Sequence, residues 1–244
     1  MMKLTKRKTI GLIAAVLILL FAVLCGIYIG DYYRMTESAA AALASDENVT
    51  VRYDHRQTVF IPEHPKAGFI FYPGGKVEYT AYSPLLRELA ENDVLCVVVK
   101  MPGNLAVLAP NAADGIPEQY PEIENWYIGG HSLGGAMAAS YAAKNIDTLD
   151  GLALLAAYSM VDLTRSGLEV ISLYGSEDQV LNMEKYAEYR ANLPEDTVET
   201  VIDGGCHAYF GCYGPQEGDG LPTITKEEQI AITAESLLDM MNIA

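Results

Sequence analysis

The polar and apolar positions of this chain divide it into two unlike parts. From Thr9 through Gly30 there are 22 residues without a charge. About 20 helical residues, each rising ~1.5 Å, cross a hydrocarbon core, so residues 10–30 predict a membrane-spanning helix. Beyond residue 48 the apolar residues come in short blocks instead. Segments 49–53 and 58–61 predict an opening antiparallel pair of strands. Segment 67–72 is a continuous apolar run that stops at Pro73-Gly74-Gly75. Residues 79–91 place Leu85, Leu86 and Leu89 at helical spacing. Segment 94–99 is rich in valine, the composition of a strand covered on both faces. Segments 126–128, 149–156, 168–174 and 198–202 read as further strands. Helical patterns fall between or after them at 135–143, near 182–192, and from a capping-box start at Thr225 with Glu228 three residues on. Residues 112–122, interrupted by Pro117 and Pro121, predict only a short irregular helix. Strands that alternate with helices predict an α/β architecture with a mostly parallel, doubly wound sheet.

Charge separates along the same line. The chain carries −16, of which residues 1–34 contribute +4, so the remainder carries −20. A domain of that charge repels phosphate backbones, which disfavours nucleic acid as a partner. The basic flank at 1–9 predicts a cytoplasmic N-terminus and places everything after the helix outside the membrane. A cleaved signal peptide is the competing reading, but its apolar region is usually ~7–15 residues long and ends at a small-residue site. The chain therefore divides into a flank at 1–9, a signal-anchor helix at 10–30, a stalk at 31–47 and one catalytic domain at 48–244. No obligate protein partner follows from these features.

Gly130-His131-Ser132-Leu133-Gly134 sits between the 126–128 strand and an alanine-rich helix. A G-x-S-x-G run in that context predicts a nucleophile elbow, a tight turn that lifts a serine oxygen above the sheet. A plain glycine turn before a helix is the alternative. The serine needs a base, and the base needs an orienting acid. The chain has four histidines: His55, His64, His131 and His207. Where serine, acid and histidine follow in that order, only His207 qualifies as base. Asp178, on the loop after the 168–174 strand, is the candidate acid; Glu177 and Asp162 are the alternatives. The oxyanion donors predicted are the amides of Leu133 and Gly75, with Lys76 next in line. Lys76 and Lys100 are also candidate substrate contacts at the edge of the sheet. Between residues 156 and 168 there is too little chain for a lid, which predicts an open, shallow site.

Of the four cysteines, Cys206 and Cys212 flank His207. Outside the cell, oxidation is permitted, and a Cys206–Cys212 disulfide is predicted to stiffen the histidine loop. Metal ligation by this Cys-His-Cys cluster is disfavoured because a fourth ligand is missing.

The segments Phe71-Tyr72-Pro73-Gly74-Gly75-Lys76, Lys100-Met101-Pro102, 130–135, 175–178 and 207–216 together resemble α/β-hydrolases. The resemblance is strongest to a small bacterial carboxymethylenebutenolidase-like, or dienelactone-hydrolase-like, branch, and it spans the domain. One departure is Ser132, where true dienelactone hydrolases use cysteine. The resemblance implies an α/β-hydrolase fold with minimal lid and a Ser132-His207-Asp178 triad. It implies cleavage of a small ester or thioester through an acyl-enzyme, without cofactor or metal. Acyl transfer by the same triad and a non-catalytic binding protein of the same fold are the alternatives.

Overall fold

A computed structural model describes residues 6–243 of the chain. Residues 1–5 of the basic flank lie outside the described residues. Two compact units result, residues 1–32 and 33–244. In the first, α1 (Lys6–Gly30) contains an uncharged stretch, Ile10–Gly30, of 21 residues. By length and composition it can cross a membrane, as an anchor or as a signal sequence.

The second unit is built on eight strands: β1 (Val49–Tyr53), β2 (Gln57–Pro62), β3 (Ala67–Tyr72), β4 (Val94–Val99), β5 (Trp126–His131), β6 (Gly151–Leu155), β7 (Glu169–Gly175) and β8 (Val198–Ile202). They form one sheet in the order β1-β2-β4-β3-β5-β6-β7-β8. The pairs β1–β2 and β2–β4 are antiparallel, and all pairs from β4 to β8 are parallel. The helices of this unit are α2 (Glu37–Ala41), α3 (Ser83–Glu91), α4 (Leu133–Ala142), α5 (Met183–Tyr189) and α6 (Lys226–Met240). This is the mostly parallel α/β sheet that the alternating pattern predicts.

Every side chain of β3 and β4 is buried because helices cover both faces. The pleat sends alternate residues to opposite sides. Phe69, Phe71, Val94, Cys96 and Val98 join α3 and α6 in one core. Ile70, Tyr72, Leu95, Val97 and Val99 join α4 in the other. Leu85, Leu86 and Leu89 are the buried stripe of α3, and a capping box closes the start of α6: the Glu228 amide donates to Thr225 Oγ1 at 3.2 Å, and the Thr225 amide donates back to Glu228 at 2.7 Å.

One expectation is corrected. Of residues 31–47, read as a stalk, those from Tyr33 onward belong to the sheet unit. Ala39 of α2 is fully buried in the α3–α6 core. Tyr33 bridges Val77, and its amide donates to the Lys76 carbonyl at 2.8 Å. Those contacts are long-range, so a short alanine-rich run carried no sign of them. Within 112–122 the short irregular helix expected there is the 3₁₀ turn Pro117–Gln119, since Pro117 and Pro121 lack the amide hydrogens a longer helix needs.

Candidate active site

The carboxyl ends of β5, β7 and β8 point to one edge of the sheet, and the candidate residues gather there. β5 ends at His131, and Ser132 joins it to α4 with φ 53° and ψ −123°. That left-handed backbone is strained for a residue with a side chain. It is held by the Ser132 amide, which donates to the Leu155 carbonyl at 2.9 Å. The glycines on either side leave room for the turn. A Cβ on Gly134 would collide with the carbonyl oxygens of Tyr72 and Pro73, and one on Gly130 would lie 2.6 Å from the Gly134 backbone.

Asp178 follows β7, and His207 follows β8. Their side chains are each 1% exposed, and His207 Nδ1 lies 2.8 Å from Asp178 Oδ2. The other Asp178 oxygen accepts from the amides of Val180 at 2.9 Å and Leu181 at 2.8 Å. These three bonds fix the carboxylate and aim the imidazole so that Nε2 faces away from it. His207 Nε2 is buried and has no hydrogen-bond partner among the described residues. It lines a cavity of about 270 Å³ together with Ser132. The alternative acids are elsewhere: exposed Asp162 accepts from Thr164, and half-buried Glu177 from Ser176. His55 and His64 are exposed and take no part.

Leu133 is the first residue of α4, so its amide has no intrahelical acceptor. Gly75 lies beside it: a Cβ there would be 3.0 Å from Leu133 Cδ2. The Lys76 amide is already engaged, donating to the Asn104 carbonyl at 2.8 Å. Of the two loop amides considered, Gly75 is therefore the one left to pair with Leu133.

Two further expectations change. Neither Lys76 nor Lys100 lines the Ser132 cavity. Lys100 Nζ sits over the Tyr79 ring at 5.9 Å and lines a separate cavity of about 680 Å³ with Arg56 and Asp114. Cys206 and Cys212 are free thiols, both buried. Their surroundings pull them apart: the Cys206 thiol meets Asp219, whereas that of Cys212 meets Ser38 and Lys226. Burial pushes the Cys206 thiol up to about 12 and raises that of Cys212, so both stay protonated. The Ser132 cavity is small, with Tyr158, Met160 and Leu181 among the residues that line it.

Asp219 is a site residue that the sequence did not reveal. Its carboxylate accepts from the amides of His207 at 3.2 Å and Ala208 at 2.8 Å, and from Gln179 beside the acid at 3.5 Å. It ties the acid loop to the histidine loop. A lone aspartate in a glycine-rich stretch carried no signal for that task.

The model of the Alpha/beta hydrolase family matches residues 68–231. No curated protein matches the sequence. Among solved structures, a dienelactone hydrolase from Anabaena variabilis superposes with TM-score 0.59 at 13% identity, covering 79% of this chain and 99% of that one. A predicted CIB-like hydrolase from Thermoplasma acidophilum gives 0.58 at 14% identity, with 79% and 100% covered. Est1E from Butyrivibrio proteoclasticus gives 0.57 at 13% identity, with 80% and 100% covered. At such identities the likeness shows the fold alone, while the family match covers most of the sheet unit and every candidate residue named above. The chain belongs to the alpha/beta hydrolase family.

Proposed function

We propose that this hydrolase-family chain is a serine esterase or thioesterase that works through an acyl-enzyme. The observation that carries the reading is a single arrangement. His207 is tied to Asp178 through Nδ1, and its unpartnered Nε2 shares a small cavity with the strained Ser132.

Ser132 Oγ attacks the carbonyl carbon while its proton passes to His207 Nε2. The carbonyl electrons move to oxygen, where the amides of Leu133 and Gly75 receive the charge; such a donor is worth about 2.7–4 kcal/mol. Collapse expels the alkoxide or thiolate, which takes the proton from His207. Water then gives a proton to His207 and attacks the acyl carbon. The second collapse releases the acid and returns the proton to Ser132. Asp178 stays ionised throughout and stabilises the imidazolium.

The cavity is lined mainly by Leu133, Ala136, Ala156, Ala157, Val180 and Leu181. Its volume of about 270 Å³ lies below the range usual for drug-sized ligands, which favours a short apolar group on one side of the ester. The uncharged Ile10–Gly30 stretch of α1 and the basic residues before that stretch support a tether to the membrane with the hydrolase unit on the outer side.

A fluorophosphonate probe tests the chemistry. Labelling of the wild-type protein, lost in Ser132→Ala, is expected, with hydrolysis of short-chain p-nitrophenyl esters. A folded protein that neither labels nor hydrolyses them overturns the reading. Protease added to intact cells tests the topology, and protection of the domain rejects an outer location.

A further inference from the structure

The elbow carries a second histidine that the reaction above does not use. His131 is 1% exposed, and its ring centroid lies 4.4 Å from that of His207. Its Nδ1 is 2.9 Å from Tyr82 Oη, and Tyr82 is fully buried. The Gly74 amide donates to the same Tyr82 oxygen at 3.0 Å. With the Gly74 amide already donating to Tyr82 Oη, the arrangement that also satisfies the buried Tyr82 proton places it on His131 Nδ1. The ring proton of His131 therefore sits on Nε2. Nε2 is buried with no partner among the described residues. Packing leaves no slack: a Cβ on Gly74 would come within 2.7 Å of Tyr82 Oη and 2.8 Å of His131 Nδ1.

We propose that Tyr82 and His131 are positioning residues that couple the oxyanion loop to the ring of His207. One end of the chain of contacts is Gly74, next to the candidate donor Gly75. The other end is the face of the imidazole that must receive the serine proton. Phe210 and Tyr213, from the same loop as His207, pack on His131 with centroids at 5.6 and 6.5 Å. The titratable groups facing His131 are thus Tyr82, His207 and Tyr213. Burial holds His131 well below the ordinary histidine range, and the neighbouring His207 lowers it further. A neutral ring there lets His207 become imidazolium without a like charge against its face. His207 is consequently fixed from two sides, by Asp178 at Nδ1 and by the His131 ring behind it.

This inference rests on the serine-hydrolase reading, and the test separates the two. The full chain in detergent is assayed with p-nitrophenyl acetate and a fluorophosphonate. Tyr82→Phe keeps the ring and removes only the hydroxyl; His131→Leu removes the acceptor; His131→Asn keeps an acceptor for Tyr82. Tyr82→Phe and His131→Leu are each expected to lower kcat about tenfold or more, with KM within twofold, while His131→Asn recovers most of kcat. The double variant Tyr82→Phe/His131→Leu is expected to be no worse than the poorer single one, because both cut the same link. Wild-type kcat in Tyr82→Phe and His131→Leu, or losses that multiply in the double variant, overturns the coupling. A wild-type protein that never labels overturns the hydrolase reading itself.

Discussion

Ser132 shows how one residue is bound to its surroundings from both directions along the chain. The backbone stands at φ 53°, and the Leu155 carbonyl and the close pass of Tyr72 hold that conformation. Its strain is stored where the chemistry is proposed. Asp178→Asn leaves the volume unchanged but favours the wrong imidazole tautomer. It is expected to lower kcat by about 10⁴-fold, which single-turnover acylation kinetics measure. Buried His131 has a consequence for stability as well. In the unfolded chain its ring titrates near about 6.5, whereas in the folded chain burial keeps it neutral to lower pH. On acidification the unfolded chain takes up a proton that the folded one does not. Stability therefore falls as pH drops below about 6.5, by up to about 1.4 kcal/mol per unit from this group. Unfolding midpoints taken on either side of that value should show the slope, and His131→Asn should flatten it.

Among the elements, those set by local periodicity were legible. The continuous run in β3, the valines of β4 and the leucine stripe of α3 each follow from burial on a pleat or a helix face. The cap of α6 is equally local, since Thr225 and Glu228 are three residues apart. Thr225→Ala is expected to cost about 1 kcal/mol and to lower the melting temperature by about 2–4 °C, as calorimetry would register. Between elements the sequence was less direct. That only His207 suits the base follows from an order rule, and Asp178 from its place after a strand. The role of Asp219 depends on two loops meeting, and Lys100 turns to Tyr79 because that ring is opposite it in space. Neither fact has a periodic signature.

For the whole molecule, the boundary that matters lies near Tyr33. Residues 33–244 form one compact unit that includes α2, although composition made 31–47 look like a spacer. The Thr36 amide donates to the Cys212 carbonyl at 2.8 Å, just past the histidine loop. Arg87 of α3 pairs with Asp46 and bonds the carbonyls of Ala42 and Ala44. A chain starting at Tyr33 is expected to be soluble and as active as the full-length protein. One starting at Asn48 is expected to melt at markedly lower temperature and to lose activity, because it opens the core beneath Ala39. Paired melting curves and esterase assays of the two truncations would decide this.

Sequence by itself determined what depends on neighbours along the chain. That includes the long uncharged run near the N-terminus, the alternation of strands and helices, the glycine-framed serine turn and the order of candidate nucleophile, acid and base. Only the tertiary structure decided what depends on side-chain direction and distant packing. It docked α2 on the core, left Cys206 and Cys212 as separate thiols and set Lys100 over the Tyr79 ring, outside the Ser132 cavity. It also set Tyr82 against His131. The physical reason is common to all four. Backbone periodicity is written locally, whereas the partner of a buried polar group is chosen by whichever segment the fold brings within hydrogen-bond reach.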